Sequence, residues 1–70
     1  MNINKMVDKE FENKTLKELV HAPVYALQGL TPEDARLLKE AFGVDNVGEL
    51  AKQRFFRWAQ AIVCLAEGEE

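Results

Sequence analysis

Three places in this 70-residue chain carry residue types able to do chemistry. The first is Gly29-Leu30-Thr31-Pro32, followed by Glu33 and Asp34, a glycine-led turn that opens a helix. A helix start presents unpaired amides and the positive end of the macrodipole, so the chemistry on offer is anion binding, phosphate above all. The second is Lys52-Gln53-Arg54-Phe55-Phe56-Arg57-Trp58, three cations interleaved with three aromatics. Arg54 and Arg57 are three apart and share a helix face that suits an anionic partner. Trp58 can stack on a base or anchor a protein interface. Lys52, Arg54, Phe56, Arg57 and Trp58 are therefore the candidate partner-binding residues. The third place is a scatter of single groups: His21, Tyr25, Cys64 and the Glu33–Asp34 pair.

The single groups reduce to structural roles. His21 is the only histidine, near a helix end, and reads as a partly exposed residue rather than a metal ligand. Cys64 sits among Ile62, Val63 and Leu65 with no base in sequence, so a buried thiol is expected rather than a nucleophile. Adjacent carboxylates on a helix point in different directions, and Glu33 and Asp34 are better explained as capping groups than as an acid–base pair. Tyr25 offers a hydroxyl with no partner. No triad, phosphate-cradling loop or metal set is present, so enzyme activity, a cofactor and a small-molecule substrate are not expected.

The elements that must position these residues are helical. Residues 1–13 are polar, mixed in charge and aperiodic, and are expected as a flexible lead-in. Thr15-Leu16-Lys17-Glu18 is a capping box that opens a short helix ending before Pro23. Pro23 suits the first position of a second helix over Val24 to Gln28, closed by Gly29. Thr31 caps a third helix, with Pro32 first and the acidic pair in its first turn. Ala35, Leu38, Ala41 and Phe42 follow helical spacing there, Leu37 broadens the stripe, and Gly43 terminates it. Asn46, three residues before Glu49, opens a fourth helix. The fifth, about Arg54 to Ala66, is the most apolar: ten of the twelve residues from Phe55 to Ala66 are hydrophobic. Such a helix is either central or shares a face with a partner. Phe55, Trp58, Ala59 and Ile62 are expected in the core, which leaves Phe56, Val63 or Cys64 as the exposed contact. The expectation is an all-α, compact bundle of about five short helices over residues 14–66, with an acidic tail at 67–70.

Composition narrows the function classes. The apolar fraction of 47% and charged fraction of 30% describe a soluble globular domain near the lower size limit for an independent core. No apolar run approaches the roughly 20 residues of a membrane span. The first residues, Met1 to Lys5, lack the apolar region of a secretion signal. A single cysteine rules out an internal disulfide and fits a reducing cytoplasm. The net charge of −3 divides unevenly: residues 14–64 hold seven basic and six acidic side chains, while Glu67, Glu69 and Glu70 make the end acidic. A nearly neutral body is not the basic footprint of a dedicated nucleic-acid binder.

The hairpin segment resembles the helix-hairpin-helix family, whose pattern is hydrophobic-x-Gly-hydrophobic-Gly with a small residue four further on. Leu27, Gly29, Leu30 and Ala35 match it, and Leu38 supplies the following apolar position. The run from Leu38 to Ala51 is similar to the second half of the same SAM-like superfold. Similar runs occur in the N-terminal domain of archaeal recombinases and the C-terminal domain of the bacterial RNA polymerase α subunit. The resemblance covers roughly residues 15–66. It implies a hairpin that offers backbone amides to a DNA phosphate. This chain departs from the pattern where Thr31 replaces the second glycine, and Glu33 and Asp34 compete with phosphate for the helix start.

Two functions follow as expectations. One is a small non-enzymatic interaction module that binds a protein partner or self-associates through the last helix and the Arg54/Arg57/Trp58 region. The other is weak nucleic-acid binding without sequence preference, through the hairpin amides together with Arg36, Lys39, Lys52, Arg54 and Arg57.

Overall fold

Local capping chemistry starts each helix of the chain, whose computed structural model describes residues 2–69. Met1 and Glu70, the outer ends of the expected lead-in and acidic tail, lie outside the described residues. Helix α1, Leu16–Val20, begins at a reciprocal capping box. The Thr15 hydroxyl accepts the Glu18 N–H at 3.1 Å, and the Glu18 carboxylate accepts the Thr15 N–H at 2.9 Å. Helix α2, Pro32–Phe42, repeats the device: Thr31 accepts from the Asp34 N–H at 3.1 Å and Asp34 from the Thr31 N–H at 3.0 Å. It ends at Gly43, which takes the left-handed conformation (φ 70°) that permits the turn without strain. Asn46 caps α3, Val47–Lys52, through the Glu49 N–H. Gln53 then serves as C-cap of α3 and N-cap of α4, Arg54–Glu67, its side chain accepting the Phe55 N–H at 2.7 Å.

The expected helix over Val24 to Gln28 is absent, and the α-helices number four rather than five among the described residues. Val24–Ala26 forms only one 3₁₀ turn. A long-range pairing ends it: Leu27 turns extended and bridges Val7 in antiparallel fashion. The Asp8 N–H donates to the Ala26 carbonyl, and the Gln28 N–H to the Met6 carbonyl, both at 2.8 Å. Residues 2–13, expected as a lead-in, hold two further 3₁₀ turns, Ile3–Lys5 and Lys9–Phe11, on either side of this bridge. Val7 itself is buried, and Phe11 packs edge-on to Tyr25 at 6.1 Å between ring centroids.

The core is small. Val7, Leu19, Ala22, Val24, Ala26 and Val44 are the buried apolar residues, and Val24 is the largest side chain wholly inside. Around it α2 packs on the Val24–Ala26 turn, while α1 and α3 pack together. That last contact is close enough to need Gly48, where an added Cβ would sit 2.8 Å from Val20 Cγ1. The Val47 N–H ties α3 to the Ala22 carbonyl at 3.0 Å. Helix α4 rests mainly on α3, and the molecule measures 43 × 31 × 20 Å. Among the described residues the structure is helical without a named strand, and no helix is long and apolar enough to cross a membrane.

Candidate functional site

At the turn before α2, Gly29 has φ 98°, a conformation that favours glycine, and it leads the chain through Leu30 to the Thr31 cap. Of the amides that a phosphate would need, those of Leu30, Thr31, Asp34 and Ala35 are already engaged, while those of Gly29 and Glu33 have no acceptor among the described residues. Thr31 and Asp34 satisfy each other's N–H groups, Pro32 has none, and the Leu30 and Ala35 N–H groups donate to Leu27 and Thr31 carbonyls. The cations nearby are engaged as well. Arg36 pairs with Glu33 and, at 2.7 Å, with Glu40, while Lys39 pairs with Asp45. Its hydrogen bond to Arg36 holds the Glu33 carboxyl below the usual carboxylate range, and the Asp45 carboxylate raises Lys39. The Gly29–Pro32 turn thus keeps few amides for an anion and has its two nearest cations, Arg36 and Lys39, already paired.

The second candidate region is open. Lys52, Arg54 and Arg57 are exposed and stand outside the ion pairs found among the described residues. The Arg54 guanidinium lies over the Phe55 ring at 5.0 Å and the Trp58 ring at 5.9 Å. Those two rings meet edge to face at 5.7 Å, in the geometry aromatic quadrupoles favour. Phe42, at the end of α2, reaches Phe55 at 6.3 Å and Phe56 at 5.4 Å, so the aromatic cluster joins two helices.

Helix α4 departs from several expectations. Of Phe56, Val63 and Cys64, one of which was expected as the exposed contact, Val63 and Cys64 are exposed, whereas Phe56 is half-buried on the α3 side, in a groove with Leu27, Val47, Leu50, Ala51 and Gln60. Phe55, Trp58, Ala59 and Ile62, expected as core, are all exposed, Phe55, Trp58 and Ile62 by 47%, 57% and 67%, and so is Leu65 by 73%. Phe56 is the one α4 residue turned into the body, toward α3; beyond it the helix is exposed on every side, Gln60 and Val63 included. The positions 55, 58, 62 and 65 therefore form one continuous apolar stripe in solvent. Cys64, expected to be buried, is exposed as well, in the second half of α4, where every residue is exposed. His21 is exposed at the C-cap of α1, and Tyr25 is half-buried.

Ile62 and Leu65 were not among the candidate binding residues, although their spacing from Phe55 and Trp58 was available as a signal: three and four residues alternate along a single seam. Among the described residues, no group of three or more His, Cys, Asp or Glu side chains is arranged to hold a metal ion. No protein-family model, curated protein or solved structure matches the chain.

Proposed function

We propose that this chain is a small non-enzymatic interaction module whose working surface is the outer face of α4, with a helix-hairpin-helix-like body as its support. One observation carries the reading: a helix of fourteen residues leaves its apolar stripe in water while the body beneath it is built from small buried residues. Exposed apolar area of this extent is unfavourable in isolation and marks a surface that meets another protein. Trp58 beside Arg54 supplies the residue types that anchor interfaces. The capped Gly29–Pro32 turn supports the helix-hairpin-helix likeness of the body, with its first helix shortened to a 3₁₀ turn.

A second reading, nucleic-acid binding, draws on one observation: among the described residues Lys52, Arg54 and Arg57 stand outside any ion pair and flank an exposed indole. Against it, Arg36 and Lys39 are neutralised by carboxylates and four of the hairpin amides are taken. Phosphate neutralisation dominates duplex affinity, so the loss of those contacts weighs heavily.

Trp58 is the only tryptophan and lies on the surface in question, so it reports directly. Acrylamide quenching at high dilution is expected to find it accessible. An indole protected at every dilution would mean that the chain covers this face itself, and the reading would fail. Protection gained on adding a short DNA duplex, and lost as salt is raised, would instead establish the nucleic-acid function.

A further inference from the structure

We propose that the occupant of the α4 face is a second copy of the same chain, its α4 packed antiparallel on the first; this rests on the reading of α4 as an interaction surface. The amount of surface is the first argument. The chain exposes 5673 Å². A folded monomer of 8.0 kDa is expected to expose about 4,450 Å². The difference, about 1,200 Å², exceeds the roughly 800 Å² that each partner contributes to a stable interface of standard size. The radius of gyration tells the same story, 13.7 Å against about 11 Å for a globule of 70 residues.

Charge is the second argument, and it fixes the direction. Helix α4 starts with Arg54 and Arg57 and ends with Glu67, followed by Glu69. Cations at the N-terminus and carboxylates at the C-terminus both oppose the helix macrodipole, so an isolated α4 is electrostatically mismatched at each end. A parallel pair would double the mismatch by setting arginines beside arginines. An antiparallel pair corrects it, because each basic start comes to lie beside the acidic end of the other helix.

Register follows from the stripe. With a two-fold axis at the level of Gln60, Phe55 lies level with Leu65 of the partner subunit and Trp58 with Ile62 of the partner subunit. The four positions then repeat as interleaved layers at the spacing of a short antiparallel coiled coil. Arg54 flanks this seam, close to the end at which Glu69 of the partner subunit arrives.

Sedimentation equilibrium of the full chain, from about 5 to 500 µM at low salt, tests the pairing. The mass should climb from 8.0 kDa toward about 16 kDa, and Ile62→Glu should stay monomeric. Direction is tested by charge reversal outside the core. Arg54→Glu and Glu69→Arg should each weaken the dimer about three- to ten-fold, and the double variant should recover most of the loss. A tighter dimer with Arg54→Glu alone, or a double variant no better than the singles, would overturn the antiparallel arrangement. A monomer at every concentration with Trp58 accessible would overturn self-pairing and leave the surface to a different protein. A monomer with Trp58 protected would overturn both this inference and the reading beneath it.

Discussion

Glu18 shows how much of this small protein hangs on single polar contacts. The Thr15 backbone N–H, and after it the Thr15 side chain, hold the Glu18 carboxyl below the ordinary range, and Lys14 adds a smaller pull. A carboxylate whose folded-state pKa is depressed stabilises the fold above its unfolded pKa, and that contribution is lost as pH falls through the folded value. Glu33, depressed by Arg36, acts in the same sense at the start of α2. Stability should therefore be flat from neutrality down to about pH 5 and decline below it, where glutamate begins to protonate. Glu18→Gln keeps an oxygen to accept the Thr15 N–H but removes the titration. Its thermal midpoint should fall less than wild type between about pH 5 and pH 3. Parallel acid limbs for the two proteins would show that Glu18 does not reach back to Thr15 in solution.

At the scale of elements, what the sequence discloses and what it hides divide along contact range. Thr15 with Glu18, Thr31 with Asp34, and Asn46 with Glu49 are each three residues apart, and every one of these caps is legible in the order of residues alone. Gly43 as a terminator is equally legible, since a left-handed C-cap needs glycine locally. The Val7–Leu27 bridge joins residues twenty positions apart, and nothing in the polar run around Val7 announces a partner. That one long-range contact also explains the missing helix after Pro23, because a residue in extended conformation cannot continue one. The rotation of α4 is hidden for a related reason: helical spacing gives the faces of a helix but not which of them meets α3. Val7 accordingly matters more than its setting suggests. Val7→Ala removes two methyl groups from beside the bridge and should cost about 1.5–2.5 kcal/mol by transfer and cavity terms together, read as a lower urea midpoint. A change below a few tenths of a kcal/mol would show that residues 2–13 do not pack on the body in solution.

For the whole molecule, the small core and the exposed stripe are two sides of one energetic problem. Six buried residues, none larger than leucine, give a chain of this size little to set against its conformational entropy. Neither a disulfide nor a metal cluster among the described residues adds to it. Pairing through α4 would supply the missing apolar burial, and stability would then rise with protein concentration, because dimerisation draws on the folded monomer by mass action. For a folded monomer that pairs, a fifty-fold rise in concentration adds at most about 1.2 kcal/mol per chain, the limit approached once the chain is dimeric throughout. Applied to a domain of this length, that raises the thermal midpoint by up to about 5–10 °C. Wild type should show this rise between about 10 and 500 µM in calorimetry, whereas Ile62→Glu should melt at one temperature throughout. A flat wild-type midpoint would mean that the body holds itself together with its stripe uncovered, and the stabilising role assigned to α4 would have to be abandoned.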